Sequence, residues 1–346
     1  MTTRIYDAAY SNEFKIPGWY SEDGQGHMQD GKFFFTAEYG SWQKCDWLVV
    51  SDTPYSCFYT DIPRERRILF IVEPPEIRDY KKFAYYLEQF GMIVSQYDFP
   101  DYTGKVIISN PNLGWTVGAN SEMNSLAKAM NYKAPAKNKL ISIISSLKQK
   151  TQYHKKRVNF LHVLQKEFAG IIDCYGRDFN PIDDKLEAIA PYKYHVVIEN
   201  SRLNYYWTEK LVDAWAGWSL PIYCGDPEIL SQVPDKNGLV IIDVDDVDAS
   251  LRKIHEVLDA DIYSSRLDAI KTCREWVLKA SNRYELVCKI IDEAKDYTPK
   301  LAKPELFRII ISTRKTFVYN ILKAISPNLA DKIFLAYCKH NGKFWE

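Results

Sequence analysis

No run in this 346-residue sequence reaches the roughly 18 apolar residues that a membrane-spanning helix needs. The amino end, MTTRIYDAAYSNEF, has no basic-then-apolar leader pattern. Net charge is also absent, since 45 Lys and Arg balance 45 Asp and Glu. That balance argues against a general nucleic-acid binder. Paired cysteines are missing as well. The seven Cys (45, 57, 174, 224, 273, 288 and 338) are odd in number and show no CxxC spacing, which disfavours a disulfide scaffold. No period of about 20–50 residues recurs, which disfavours a solenoid. These absences lead to the expectation of a cytoplasmic protein without a spanning anchor.

What is present is an ordinary globular composition, 46% hydrophobic and 26% charged. The length predicts two domains. Aromatic side chains are plentiful, with 24 Tyr, 16 Phe and 9 Trp. Most belong in a core; the rest suit stacking on bases and sugars.

The most informative stretch is HVVIENSRLNYYWTEKLVDAWAGWSLPIYCGD, residues 195–226. It reads as a buried strand (195–198), a polar loop, a helix (208 to about 217) and a second strand (220–224). This is a βαβ unit, which places ligands at the carboxyl ends of its strands. The loop holds Glu199, Asn200, Ser201, Tyr206, Thr208, Glu209 and Lys210 within twelve positions. So dense a set of hydrogen-bonding groups predicts a nucleotide-sugar pocket.

Elsewhere the pattern alternates strand and helix, an α/β arrangement in two halves. The first forty residues show no clean period. Strands are expected at 45–50, 68–72, in MIVSQYDFP and in KVIISNP, with a helix over 79–90. Glu73-Pro74-Pro75 stops the second strand, because Pro donates no ladder bond and keeps its predecessor extended. Glu73 therefore stands at a strand's carboxyl end, as a working residue or as a solvated carboxylate. Residues 115–139, which include NYKAPAKNK, read as a linker. Beyond them a strand at 140–146 leads to a helix over 157–168, whose start carries Arg157. A helix N-terminus with a guanidinium suits a phosphate; Lys155, Lys156 and Arg157 are equally readable as a solvated basic face. Ile171 to Asn180 supply a strand and a turn at Gly176. A strand is expected at 238–244, a helix with Leu251, Ile254 and Leu258 in one stripe, and a long helix over 261–296. From residue 300 nine basic residues face three acidic ones, a net charge of +6. This tail reads as a basic amphipathic helix that either lies on an anionic bilayer or packs on the protein body. The domains are thus expected at 1–135 and 136–298, with the tail at 299–346.

The motif EN-S-x(4)-Y-x-T-E-K followed by P-x-Y-x-G resembles the α1,3-fucosyltransferases of glycosyltransferase family 10 and their bacterial lipopolysaccharide and O-antigen relatives. It is carried by Glu199, Asn200, Ser201, Tyr206, Thr208, Glu209 and Lys210, then Pro221, Tyr223 and Gly225. KLISIISS, Arg157, CYG and FIVEPPE agree more thinly. The resemblance implies the GT-B fold, two Rossmann-like domains facing across a cleft. It implies inverting transfer of fucose from GDP-fucose to a glycan hydroxyl, of α1,3 type, in surface polysaccharide synthesis. The first domain would bind the acceptor and the second the donor.

By the same resemblance Glu73 is the base, and Arg157 and Lys210 neutralise the diphosphate. The amides after Thr208 assist them. Glu209 turns to the ribose, Asn200 and Tyr206 meet the nucleotide or fucose, and Glu199 either joins them or braces the loop. No metal or other cofactor is expected. Asp243-Val-Asp245 imitates a metal motif but reads as structural. Two positions depart from the family pattern: Tyr205, where Asp or Gly is frequent, and Trp207, where a smaller β-branched residue is usual. They leave open another GDP-linked deoxysugar as donor. A transferase using a different nucleotide sugar and a non-catalytic nucleotide- or glycan-binding relative remain as alternatives.

Overall fold

The computed structural model describes residues 2–8, 19–38, 41–54, 58–294 and 305–307, together with 322, 325, 326, 329, 332 and 333. The chain forms two compact units. One comprises residues 1–17, 26–111 and 294–346, the other 18–25 and 112–293.

The first unit carries β1 (Thr3–Ala8), β2 (His27–Met28), β3 (Phe33–Thr36), β4 (Trp47–Ser51), β5 (Phe58–Thr60), β6 (Arg67–Phe70), β7 (Met92–Ser95) and β8 (Lys105–Ile108). Seven of them form a sheet in the order β2-β3-β1-β4-β6-β7-β8, parallel except for the β2–β3 pair. β4, β6 and β7 are almost wholly buried, which is why they read as unbroken apolar runs. Leu48, Val50, Leu69, Ile71 and Ile93 meet Tyr80, Tyr86, Leu87 and Phe90 in one cluster. The helix expected over 79–90 is a 3-10 turn, Tyr80–Phe83, joined to a single α turn, α1 (Ala84–Leu87). β1 to β3 arise in the segment where no period was visible.

The second unit contains α2 (Leu126–Asn131), β9 (Lys139–Ile144), α3 (Gln152–Glu167), β10 (Ile172–Tyr175), α4 (Leu186–Ile189), β11 (Tyr192–Ile198), α5 (Glu209–Ala216), β12 (Leu220–Cys224), α6 (Ile229–Gln232), β13 (Val240–Ile241), α7 (Val247–Asp259), α8 (Leu267–Leu278) and α9 (Arg283–Glu293). Its sheet is parallel throughout, in the order β10-β9-β11-β12-β13. Only two residues of the strand expected at 238–244 pair. The long helix expected over 261–296 is broken between α8 and α9. Asn282 makes the break: its side chain accepts from Tyr284 N and donates to the carbonyls of Tyr20 and Leu278.

The segment read as a linker is folded. Trp115, Val117, Met123 and Ala129 are buried, and Ser125 caps α2 by accepting from Lys128 N. Thr116 donates to Asp213 of α5 through its amide (2.6 Å) and hydroxyl (2.8 Å). Residues 112–135, expected in the first domain, thus cluster with the second unit. So do residues 18–25. Tyr20 lies edge-on to Trp115 and donates to its carbonyl at 3.0 Å. Gly114 permits this, since a Cβ there would stand 2.2 Å from the Tyr20 ring.

The tail reading falls almost wholly outside the described residues. Where residues 305–307 are described, they form β14 (Glu305–Phe307), antiparallel to β5. Phe307, expected on the apolar face of a helix, is therefore in a strand. Among the described residues no helix is long and apolar enough to cross a membrane.

Candidate functional site

The βαβ unit β11–α5–β12 matches its sequence reading closely. β12 has the expected bounds, and β11 begins three residues earlier than expected. Glu199 extends the ladder by one bond, from its N–H to Cys224 O at 2.9 Å. Its side chain then turns inward and is 0% exposed. One carboxylate oxygen accepts from Thr208 N at 2.7 Å, and the other from Thr208 Oγ1 at 2.8 Å and Lys210 Nζ at 3.4 Å. Thr208 is the N-cap of α5 and accepts from Lys210 N. Glu199 thus closes the loop onto the helix start, and both its oxygens are occupied there. Burial raises its pKa against the opposing charge of Lys210.

The remaining motif residues explain one another. Tyr223 Oη accepts from Asp226 N at 2.8 Å and donates to Tyr206 O at 3.5 Å. A Cβ at Gly225 would lie 2.3 Å from that hydroxyl and 2.6 Å from Glu199 Cγ. Gly225 is needed for this close approach.

Over the carboxyl ends of β9, β10 and β11 lies a cavity of about 350 Å³. Five basic side chains line it (Lys148, Arg157, Arg177, Lys185 and Lys210), against two acidic ones, Glu209 and Asp213. Excess positive charge at strand ends suits a polyanionic ligand. Arg157 stands in the second turn of α3, not at its start. Thr151 caps that helix in a box with His154, so Arg157 acts through its side chain alone. It is 4% exposed and donates to Asn200 Oδ1 at 2.5 Å and Ser146 O at 3.1 Å. Lys210 Nζ meets Glu209 at 3.3 Å and Thr208 Oγ1 at 2.9 Å. Burial works against the charge on Glu209, but Lys210 and Lys185 outweigh it and hold its pKa at about 2. Gly176 closes the β10 edge with φ +123°; a Cβ there would strike Ser145 O at 2.1 Å.

Of the donor-side residues expected from sequence, Arg157, Asn200, Glu209 and Lys210 line this cavity. Glu199, Ser201, Tyr206 and Thr208 are buried and are not among its lining residues. Trp207 is only 2% exposed and does not crowd the site. Its ring lies tilted against that of Trp276, centroids 5.5 Å apart, and its indole N–H donates to Gln232. Tyr205 has φ +61°, a left-handed backbone that Gly and Asp adopt more readily. That is the physical reason for the residue types usual there.

Lys148, Arg177, Lys185, His154 and His195 were not read as lining residues. Arg177 follows a glycine at a strand's carboxyl end, which is a usable signal. Lys185 carries none, because its partner Asp213 (2.7 Å) is distant in sequence. Asp243 and Asp245 face cations: Arg202 at 2.7 Å and Lys156 at 2.7 Å. Among the described residues no group of three or more His, Cys, Asp or Glu is placed to hold a metal.

Glu73 belongs to the first unit. It lies partly buried just past β6, and its N–H points to Asp52 Oδ1 at 3.3 Å.

Residues 134–290 match the model of the family described as glycosyltransferase family 10 (fucosyltransferase), C-terminal. A 3-galactosyl-N-acetylglucosaminide 4-alpha-L-fucosyltransferase of Pongo pygmaeus is 29% identical over 155 residues. That match spans 39% of this chain and 41% of the relative, so the chain covers about two-fifths of that protein's length. A crystal structure of an α1,3-fucosyltransferase superposes with a TM-score of 0.51, at 13% identity, over 90% of this chain and 93% of that one. The fold is accordingly that of the GT-B glycosyltransferases. Residues 134–290 are thus similar to the C-terminal domain of glycosyltransferase family 10, and the fold of the chain is similar to that of a solved α1,3-fucosyltransferase.

Proposed function

We propose that the protein transfers L-fucose from GDP-fucose to a hydroxyl of a glycan acceptor, with inversion and in an α1,3-type linkage, during synthesis of a surface polysaccharide such as lipopolysaccharide O-antigen. The observation that carries this is the cavity at the strand ends, where Arg157, Asn200, Glu209 and Lys210 converge amid an excess of basic side chains. In the proposed reaction the acceptor oxygen attacks the anomeric carbon as the bond to the diphosphate breaks. Glu73, on the acceptor-binding first unit, takes the hydroxyl proton. The departing GDP carries the electron pair away as added negative charge, which Arg157 and Lys210 neutralise in the donor-binding second unit. Glu209, already ionised, accepts hydrogen bonds from the ribose. Glu199 holds the loop that presents these groups. The protein works in the cytoplasm, and its basic tail keeps it near membrane-bound acceptors.

Calorimetric titration tests the donor. GDP is expected to bind at least about tenfold more tightly than UDP or ADP, and failure of GDP to bind sinks the reading. Glu73→Gln is expected to lower turnover by about a hundredfold or more while leaving GDP affinity intact. An unchanged rate removes Glu73 from the chemistry and favours the non-catalytic alternative if the parent protein is also inert.

A further inference from the structure

The sheet of the first unit presents more than Glu73 at its carboxyl edge. β6 is flanked by β4 and β7, and the first polar residue past each neighbour reaches over to the exit of β6. On the β4 side this is Asp52, whose N–H still bonds to Phe70 O at 2.8 Å. One oxygen of its carboxylate accepts from Val72 N at 2.9 Å, Glu73 N at 3.3 Å and Tyr80 Oη at 2.5 Å. On the β7 side, Gln96 donates its amide Nε2 to Ile71 O at 3.0 Å. Residues 71–73 are thereby held from both neighbouring strands.

We infer that Asp52 is a positioning residue for the reaction: its carboxylate fixes the Val72–Glu73 peptide so that the Glu73 side chain is presented in one orientation from the sheet edge. This rests on the reading of Glu73 as the base. A strand that merely ends needs no such clamp, because water satisfies exposed amides. Asp52 also adopts a left-handed backbone, φ +52°, which non-glycine residues rarely take. Strain of this kind gathers where a site must be pre-organised. Tyr80 completes the arrangement. It is fully buried, and burial followed by the Asp52 charge keeps its hydroxyl protonated. It therefore remains a donor to Asp52. Arg78 donates to the Tyr80 hydroxyl in turn.

The test compares Asp52→Gly, Asp52→Asn and Glu73→Gln in the full chain, measuring kcat, KM for GDP-fucose, GDP affinity and thermal midpoint. Glycine removes the carboxylate and relaxes the left-handed backbone, so Asp52→Gly is expected to fold. Its kcat is expected to fall by about a hundredfold, the scale of a misplaced catalytic group, with KM for GDP-fucose and GDP affinity unchanged. Asparagine retains an oxygen that accepts from the same donors, and is expected to recover most of kcat. Wild-type kcat in Asp52→Gly overturns the inference, as does equal impairment of the Gly and Asn variants. Full activity in Glu73→Gln instead overturns the base assignment, and the inference with it. An inert Glu73→Gln beside a fully active Asp52→Gly removes only the positioning role.

Discussion

His195 shows how one side chain can carry a measurable share of the pH response. It sits in β11 at 3% exposure, and its Nδ1 is 2.8 Å from Ser142 Oγ. The serine hydroxyl donates to Ala188 O at 2.6 Å, so it accepts from Nδ1–H. Burial, with Lys185 and Lys137 nearby, lowers the His195 pKa from 6.5 to about 3. The folded protein keeps the ring neutral where the unfolded chain would protonate it. Stability from this residue is present above about pH 6.5 and is lost progressively as pH falls toward 3. Between pH 6.5 and 5 the loss is about 2 kcal/mol. Urea unfolding of wild type and His195→Asn across that range checks the sign: the mutant curve should be flatter by that amount. Sequence marked His195 only as the first residue of a strand. Its depressed pKa depends on burial and on two lysines that the tertiary fold brings near.

At the scale of elements, the β11–α5 junction joins strand, cap and cation through one buried carboxylate. Thr208 is both the N-cap of α5 and a double donor to Glu199. Thr208→Ala removes the cap and one of those donors, and is expected to cost about 2 kcal/mol. Thr208→Ser should restore most of it. Denaturant titration reads the stability, and a parallel fall in GDP affinity would report Lys210 losing its seat. This element was legible because its signals are local: an apolar run, a Thr before the helix and a glycine turn. The start of α3 was misread for the converse reason. His154 occupies the position in its capping box where Glu or Gln is the usual signal, so TQYHKKR resembles a polar connector and the sequence pattern starts the helix at Arg157, more than a turn after its actual start at Gln152.

At the scale of the whole molecule, the charge pairs around Asp243 and Asp245 bear on metal dependence. Each is matched by a cation, Arg202 or Lys156, which supports a structural role. Chelation with EDTA is therefore expected to leave turnover and GDP affinity unchanged. Loss of transfer on EDTA treatment, restored by a divalent cation, would reassign this pair. The boundary between the two units was not legible. Residues 115–139 have the composition of a linker, yet Trp115 and Met123 are buried and Asp213 binds the amides of Thr116 and Val117. Polar composition predicts exposure only when partners are unknown. Here the partner is a carboxylate about a hundred residues away in sequence.

Sequence alone determined the α/β alternation, the βαβ unit with its cap and the identity of four cavity residues, Arg157, Asn200, Glu209 and Lys210. Such features depend on period, propensity and motif within a few positions of the chain. The tertiary structure decided the rest. It made Glu199 a brace, sent Trp207 into the core and added Lys185 and Arg177 to the cavity. It also set Asp52 and Gln96 on either side of the segment leading to Glu73. Each of these rests on burial or on hydrogen bonds between strands and loops distant in sequence, which no local pattern encodes.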